Sequence, residues 1–294
     1  MAERRKGPWR RALAPLAAAA ATLGLAPACL SLEAKFHREL GEEGLSPGPG
    51  PDDPVTAAEV TALPEPVRRY LDFMKVVGAP RVWSFRARMA GTFRLGPEQP
   101  WVAMDAWQYN TRLDHARLFY MTLRKFGLPI LGRDTYLRGE GRLLIRPLDL
   151  FTVEDAGGEE LAIGELVTYL NDGLLYAPSM LLGPETTWTA VDDRTFDVAL
   201  ADSGRTVKGR VFLDARGAPV RFETADRFGQ DPADPDRRFV RTRWSTPIEG
   251  WTEAEGRPVP TAGQAVWHFP GGDFAYARMG VVLETLGYNV PPGP

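Results

Sequence analysis

Hydrophobic and polar positions change period along this chain, and each change marks an element. Val67, Tyr70, Leu71, Met74 and Val77 recur at helical spacing, with Arg68, Arg69, Asp72 and Lys75 between them. That is one apolar stripe and one wet face, and it predicts a helix. Thr56 with Glu59 has capping-box spacing just upstream. Leu63-Pro64-Glu65-Pro66 breaks and restarts the helix, and Gly78 with Pro80 ends it. From Arg81 the period becomes two. Trp83, Phe85, Ala87, Met89, Phe93 and Leu95 alternate with Ser84, Arg86, Arg88, Thr92 and Arg94, which predicts a long strand with one apolar face. Further strand-like runs cover 101–110, 113–123, 134–139, 142–148, 186–191, 195–200, 206–214, 219–226, 238–245, 259–269 and 274–283. Asp214-Ala-Arg-Gly217 reads as a hairpin connection.

One helical segment interrupts the strands. Ile163, Leu166, Val167, Leu170 and Leu174 form a stripe over 159–177, which Pro178 closes. The run 174–182, LLYAPSMLL, has almost no polar side chain, so it must be buried under the sheet or cover something hydrophobic. Strands at short spacing without intervening helices mean an antiparallel meander. The expected fold is mainly β (α+β): a curved antiparallel meander or half-barrel of about 10–12 strands. An N-terminal helix and one mid-chain helix are expected on its concave face.

Composition changes the picture at the N-terminus. Arg4, Arg5, Lys6, Arg10 and Arg11 precede an alanine-rich apolar run, 12–28, that ends Ala26-Pro27-Ala28. This is a secretory signal rather than a spanning helix, because the run is shorter than the ~20 residues a bilayer needs. Residues 41–54, GEEGLSPGPGPDDP, read as a tether. The expected organisation is a signal at 1–28, a tail and tether at 29–55, and a single β-rich domain at 56–294.

The chain of 294 residues carries a net charge of -3, which leaves no electrostatic footprint for nucleic acid. Without 1–28 the net charge is -7, so attachment to a membrane is expected through an anchor rather than a basic face. The single cysteine, Cys29, excludes an internal disulfide and a Cys-rich zinc site. Cys29 directly follows the signal, and this resembles a bacterial lipoprotein signal, in which a diacylglyceryl group joins the first mature cysteine. Ala26 and Pro27 depart from that pattern. Cleavage after Ala28 without lipid, or an uncleaved anchor, would leave the same residues.

The familiar catalytic signatures are missing. No G-x-S-x-G, Walker loop, G-x-G-x-x-G after a strand or H-E-x-x-H occurs. The three histidines are His37, His115 and His268, and neither a metal site nor a triad built from Ser179 and His268 has spacing in its favour. No cofactor is expected. What remains is aromatic and polar clusters suited to lining a ligand cavity: Trp101, Trp107 and Tyr109; Arg133, Asp134 and Tyr136; Leu170, Leu174 and Tyr176; and Trp267.

The same clusters carry a resemblance. The motifs L-P-x-P-V-x-R-Y-L (63–71), P-W-x6-Q-Y (100–109), G-R-D-x-Y (132–136), G-E-L-x-x-Y-L (164–170) and W-H-x-P-x-G-D-F-x-Y (267–276) look like those of a family of uncharacterised bacterial proteins. That resemblance implies one domain and transfers no catalytic residue. At fold level the meander also looks like the LolA-type half-barrel of lipoprotein carriers. Three functions stay open: an envelope lipoprotein binding a lipid or other hydrophobic ligand between sheet and helix, a structural or interaction lipoprotein, and a hydrolase using Asp134, Glu165 or His268. The sequence sets no oligomeric state.

Overall fold

The computed structural model describes residues 32–50, 53–236 and 238–291. The signal and Cys29 lie outside them. Leu32–Pro294 is a compact unit by itself.

Fourteen strands make one antiparallel sheet. The chain enters it in the middle. β1 (Ser84–Phe93), β2 (Val102–Thr111), β3 (Ala116–Lys125), β4 (Leu128–Leu137), β5 (Glu140–Pro147) and the short β6 (Glu154–Gly157) step outward to one edge. A helix then carries the chain to the opposite edge, where β7 (Thr186–Asp192) begins the return. β8 (Thr195–Asp202), β9 (Arg205–Leu213), β10 (Pro219–Gln230), β11 (Phe239–Ala254), β12 (Arg257–Phe269) and β13 (Gly272–Val281) step back until β13 pairs with β1. β14 (Gly287–Tyr288) pairs with β1 as well. The sheet is curved and unclosed, with β6 and β7 as its edges.

Among the described residues four α-helices flank the sheet: α1 (Leu32–Glu43), α2 (Ala57–Thr61), α3 (Glu65–Phe73) and α4 (Glu159–Tyr176). α2 starts at the Thr56 capping box. α3 packs on β7 and β8 and buries Val67, Tyr70 and Leu71 of the stripe read from the sequence; it ends at Phe73, short of the expected Gly78, with Met74 buried beyond it and Val77 exposed. α4 is the crossover. It lies on the concave face, against β3–β6 on one arm and β9, β10 and β12 on the other. Glu159 and Glu160 stabilise its N-terminal dipole. Thirteen of its 18 residues are buried, so it is enclosed on nearly all sides. The run 174–182 then seals one end of the core, with Leu174, Ala177, Met180 and Leu181 all buried.

Residues 32–43 differ from the expected tail. Leu32, Phe36 and Leu40 are spaced one turn apart, and α1 lays Phe36 and Leu40, fully buried, on the outer face of β2–β4. They meet Tyr109, Leu118 and Tyr120 there. The Pro/Gly segment after α1 is also docked: Thr111 donates to the Ser46 carbonyl and Ser84 to that of Pro47.

The two arms of the sheet meet at one end. The β4–β5 and β8–β9 turns lie far apart in strand order, yet Arg205 Nη1 donates to the Gly139 carbonyl at 2.7 Å. Tyr136 donates its hydroxyl to Asp202, whose other oxygen meets His115 Nδ1 at 2.9 Å. Arg205 also grips Glu159 at the start of α4. This strap fastens both arms around the helix.

Candidate functional site

The alternation of β2, β3 and β4 places Gln108, Asn110, Arg117 and Asp134 on the concave face, under α4. The helix answers with Glu165 and Asp172. Arg117 Nε donates to Asp172 Oδ2 at 2.9 Å, and Nη1 donates to Glu165 Oε2 at 3.0 Å and to Asp134 Oδ2 at 3.4 Å. Gln108 Nε2 donates to the same Asp172 oxygen at 2.6 Å. From the other arm, Arg227 on β10 reaches Glu165 at 3.9 Å and donates to Thr168 Oγ1 at 3.0 Å. Its guanidinium lies over Trp244 at 4.4 Å and Trp267 at 5.3 Å. Arg227 Nε is buried without a partner.

Burial, and then the neighbouring Asp134 carboxylate, push the Glu165 carboxyl up to about 8. Glu165 is therefore mostly protonated at pH 7. Three acids and two arginines face one another, so that one proton balances the cluster. Asp172 is also held above the usual carboxylate range by burial, against the opposing pull of Arg117, Asn110 and Gln108. Arg117 is desolvated, and its three carboxylate neighbours outweigh that and hold it charged. The arrangement can donate hydrogen bonds from a neutral acid and from two arginines in a dry setting.

Along the same face, away from α4, the side chains become apolar. The helix meets β5 at Gly141, where a Cβ would lie 2.6 Å from the Ala162 nitrogen. Farther along the strands the alternation aligns Phe93, Met104, Met121, Leu123, Ile130 and Ile145. Leu123 and Met104 are buried, and the other four are half-buried. Phe93 packs edge-on against Tyr276. A polar end and an apolar trough thus share one surface.

The sequence-derived candidates divide between the two faces. Asp134, Tyr136, Leu170, Leu174, Tyr176 and Trp267 belong to the inner face or to α4. Trp107, Tyr109 and Arg133 lie on the outer face beneath α1: Trp107 stacks on Phe36, and Arg133 binds Glu39. Trp101 stands between Arg94 and Arg278, at 4.8 and 4.7 Å. These three groups do not converge.

Neither the candidates read from the sequence nor the motifs include Arg117, Asp172 or Arg227. Arg117 had a signal, since it alternates with Phe119 and Met121 and so sits on a core face. Asp172 had one too, because polar groups in a helix that is apolar all round must be buried.

His268 is on the outer face, away from Asp134 and Glu165. Its Nε2 lies 2.8 Å from Ser245 Oγ and its Nδ1 2.7 Å from Asp273 Oδ1. The order is that of a serine nucleophile, base and acid, without Ser179. Ser245, however, is buried in mid-strand between β10 and β12. The backbone around it is committed to ladders, so an oxyanion would find no free amides. The chain of bonds ties β11, β12 and β13 together.

Among the described residues no group of three or more His, Cys, Asp or Glu stands ready to hold a metal ion. No described helix is long and apolar enough to cross a membrane.

Fold and interior together define an open antiparallel half-barrel with a crossover helix laid in its hollow over a buried charge cluster. The chain belongs to a family of unknown function (DUF6544), whose sequence model matches residues 53–279. Among curated proteins none matches it. The solved structures similar to it include three that are each 11% identical. A putative outer membrane lipoprotein-sorting protein domain from Vibrio parahaemolyticus aligns over 70% of this chain and 85% of its own, at a TM-score of 0.34. A DUF1329 family protein from Desulfovibrio piger aligns over 81% and 95%, at 0.41. A LolA superfamily protein from Nitrosomonas europaea aligns over 80% and 94%, at 0.34. The strand order, running from β6 to β7 without closure, makes the sheet a half-barrel.

Proposed function

We propose that this is an exported envelope protein that binds an amphipathic lipid or a free acyl chain on its concave face. The observation that carries this reading is the continuity of the apolar trough, Phe93 to Ile145, with the cluster of Arg117, Glu165 and Arg227. A hydrocarbon chain fits the trough, and a polar end group fits the unpartnered Arg227 Nε and the protonated Glu165. Attachment of the protein to a membrane is part of the same reading. It is supported by the signal-like residues 1–28 and by Cys29 behind them, the proposed site of acylation. Intact-mass measurement of the membrane-extracted protein tests that part, with a diacylglyceryl adduct on Cys29 expected. For the ligand, a fluorescent fatty acid titrated into residues 32–294 should bind saturably. Met121→Arg, a charge set in the trough, should weaken binding by about tenfold or more. Equal binding by that variant would place the ligand elsewhere.

A further inference from the structure

Two neighbouring turns expose apolar side chains that the fold does not use. The β3–β4 turn is Lys125-Phe126-Gly127-Leu128. Phe126 takes φ 53° and Gly127 φ 78°. A two-residue turn of this kind favours Asn, Asp or Gly at its first position. A phenylalanine there costs stability, and at 89% exposure its ring recovers little beyond the Lys125 ammonium 5.8 Å from its centre. Beside it, the β5–β6 turn exposes Leu150 at 61% and Phe151 at 54%. The turns adjoin, since the Leu148 amide donates to the Pro129 carbonyl at 2.8 Å. With half-exposed Leu128, these residues form one apolar corner.

Two further observations identify its occupant. The first is charge. The two turns, the ends of β3 and β5 and the first turn of α1 carry Lys35, Arg124, Lys125 and Arg146 against Glu33 and Asp149, with Lys35 and Arg146 both paired to Asp149, on a chain whose net charge is -3. The second is the path of the chain. Lys35 in the first turn of α1 pairs with Asp149 of the β5–β6 turn, so the polypeptide enters the body beside this corner. Cys29 precedes Leu32 by three residues, a reach of at most about 10 Å.

We propose that the corner of Phe126, Leu128, Leu150 and Phe151 docks onto the surface of an anionic phospholipid membrane. The aromatic and leucine side chains enter the interface, and Arg124 and Lys125 meet lipid phosphates. An acyl group on Cys29 would hold the body at this distance, and the corner sets which side faces the bilayer. The proposal builds on the envelope reading above, but its test omits Cys29, so a missing acyl group and a failure to dock are seen separately.

The test is flotation of residues 32–294 with vesicles of phosphatidylethanolamine and phosphatidylglycerol, against vesicles of phosphatidylcholine alone. Binding to the anionic vesicles is expected, and weaker binding to the neutral ones. The double variant Phe126→Ser/Phe151→Ser should lose about tenfold or more in partitioning. Val191→Ser/Val220→Ser, exposed apolar residues on β7 and β10, should not change it. All four positions are exposed, and unchanged thermal unfolding would verify that the variants fold. No flotation of the parent protein, or equal flotation of the Phe126/Phe151 variant, overturns the proposal. So does self-association through the corner without vesicle binding.

Discussion

Arg117 binds Asp134, Glu165 and Asp172, and its loss would leave the buried Asp172 carboxylate without its cation. Breaking such a cluster from one side costs about 3–5 kcal/mol. Arg117→Met should therefore lower the stability measured by urea unfolding by an amount in that range. Glu165 behaves differently because it holds a proton. Between its ordinary 4.5 and about 8, the folded protein keeps a proton that the unfolded chain has released. Its contribution is complete below pH 4.5 and is lost as the pH rises through about 8. Glu165→Gln imitates the neutral form. It should change stability at pH 7 by no more than about 1 kcal/mol and flatten the decline toward pH 8. Unfolding curves across that range check this, and an unaltered slope in the variant would contradict the protonated state.

The elements are tied by a few side chains at the strap. Asp202 serves Tyr136 from β4 and His115 from the β2–β3 turn, which bridges arms that share no ladder. Asp202→Ala leaves both groups without their acceptor and should cost about 1–3 kcal/mol. Hydrogen exchange should rise first in β8, β9 and the start of α4, while the β1–β2 ladder stays protected. Uniform exchange across the sheet would mean that the strap holds nothing in particular. At this scale the sequence was legible where alternation was long. The runs 101–110, 142–148 and 259–269 match β2, β5 and β12 closely, and the helix over 159–177 is α4. The hairpins were harder to read. Phe126-Gly127, Arg138-Gly139, Ser203-Gly204 and Glu255-Gly256 all turn with both residues at positive φ. None of the four has the Asn or Asp that announces such a turn. β6 has four residues on an edge and no periodicity to detect.

At the largest scale, the pattern implied a mainly β fold with helices on a concave antiparallel sheet, and the described residues have this, with fourteen strands. α1 on the outer face was hidden because Phe36 and Leu40 sit in a stretch whose neighbours are charged, just ahead of a Pro/Gly segment. The inner charge cluster was hidden because it joins residues from both arms. Arg117 and Arg227 are 110 positions apart, and only the crossover of α4 brings them to Glu165. Aromatic composition drew attention to Trp107, Tyr109 and Arg133, which fasten α1 instead. Ligand binding on the concave face is the central claim, and native mass spectrometry of residues 32–294, purified gently from a bacterial host, tests it most directly. The account predicts a population heavier than the bare chain by the mass of a fatty acid or phospholipid, and loss of that population in Met121→Arg. A single bare-chain mass, unchanged after incubation with fatty acid, would contradict it.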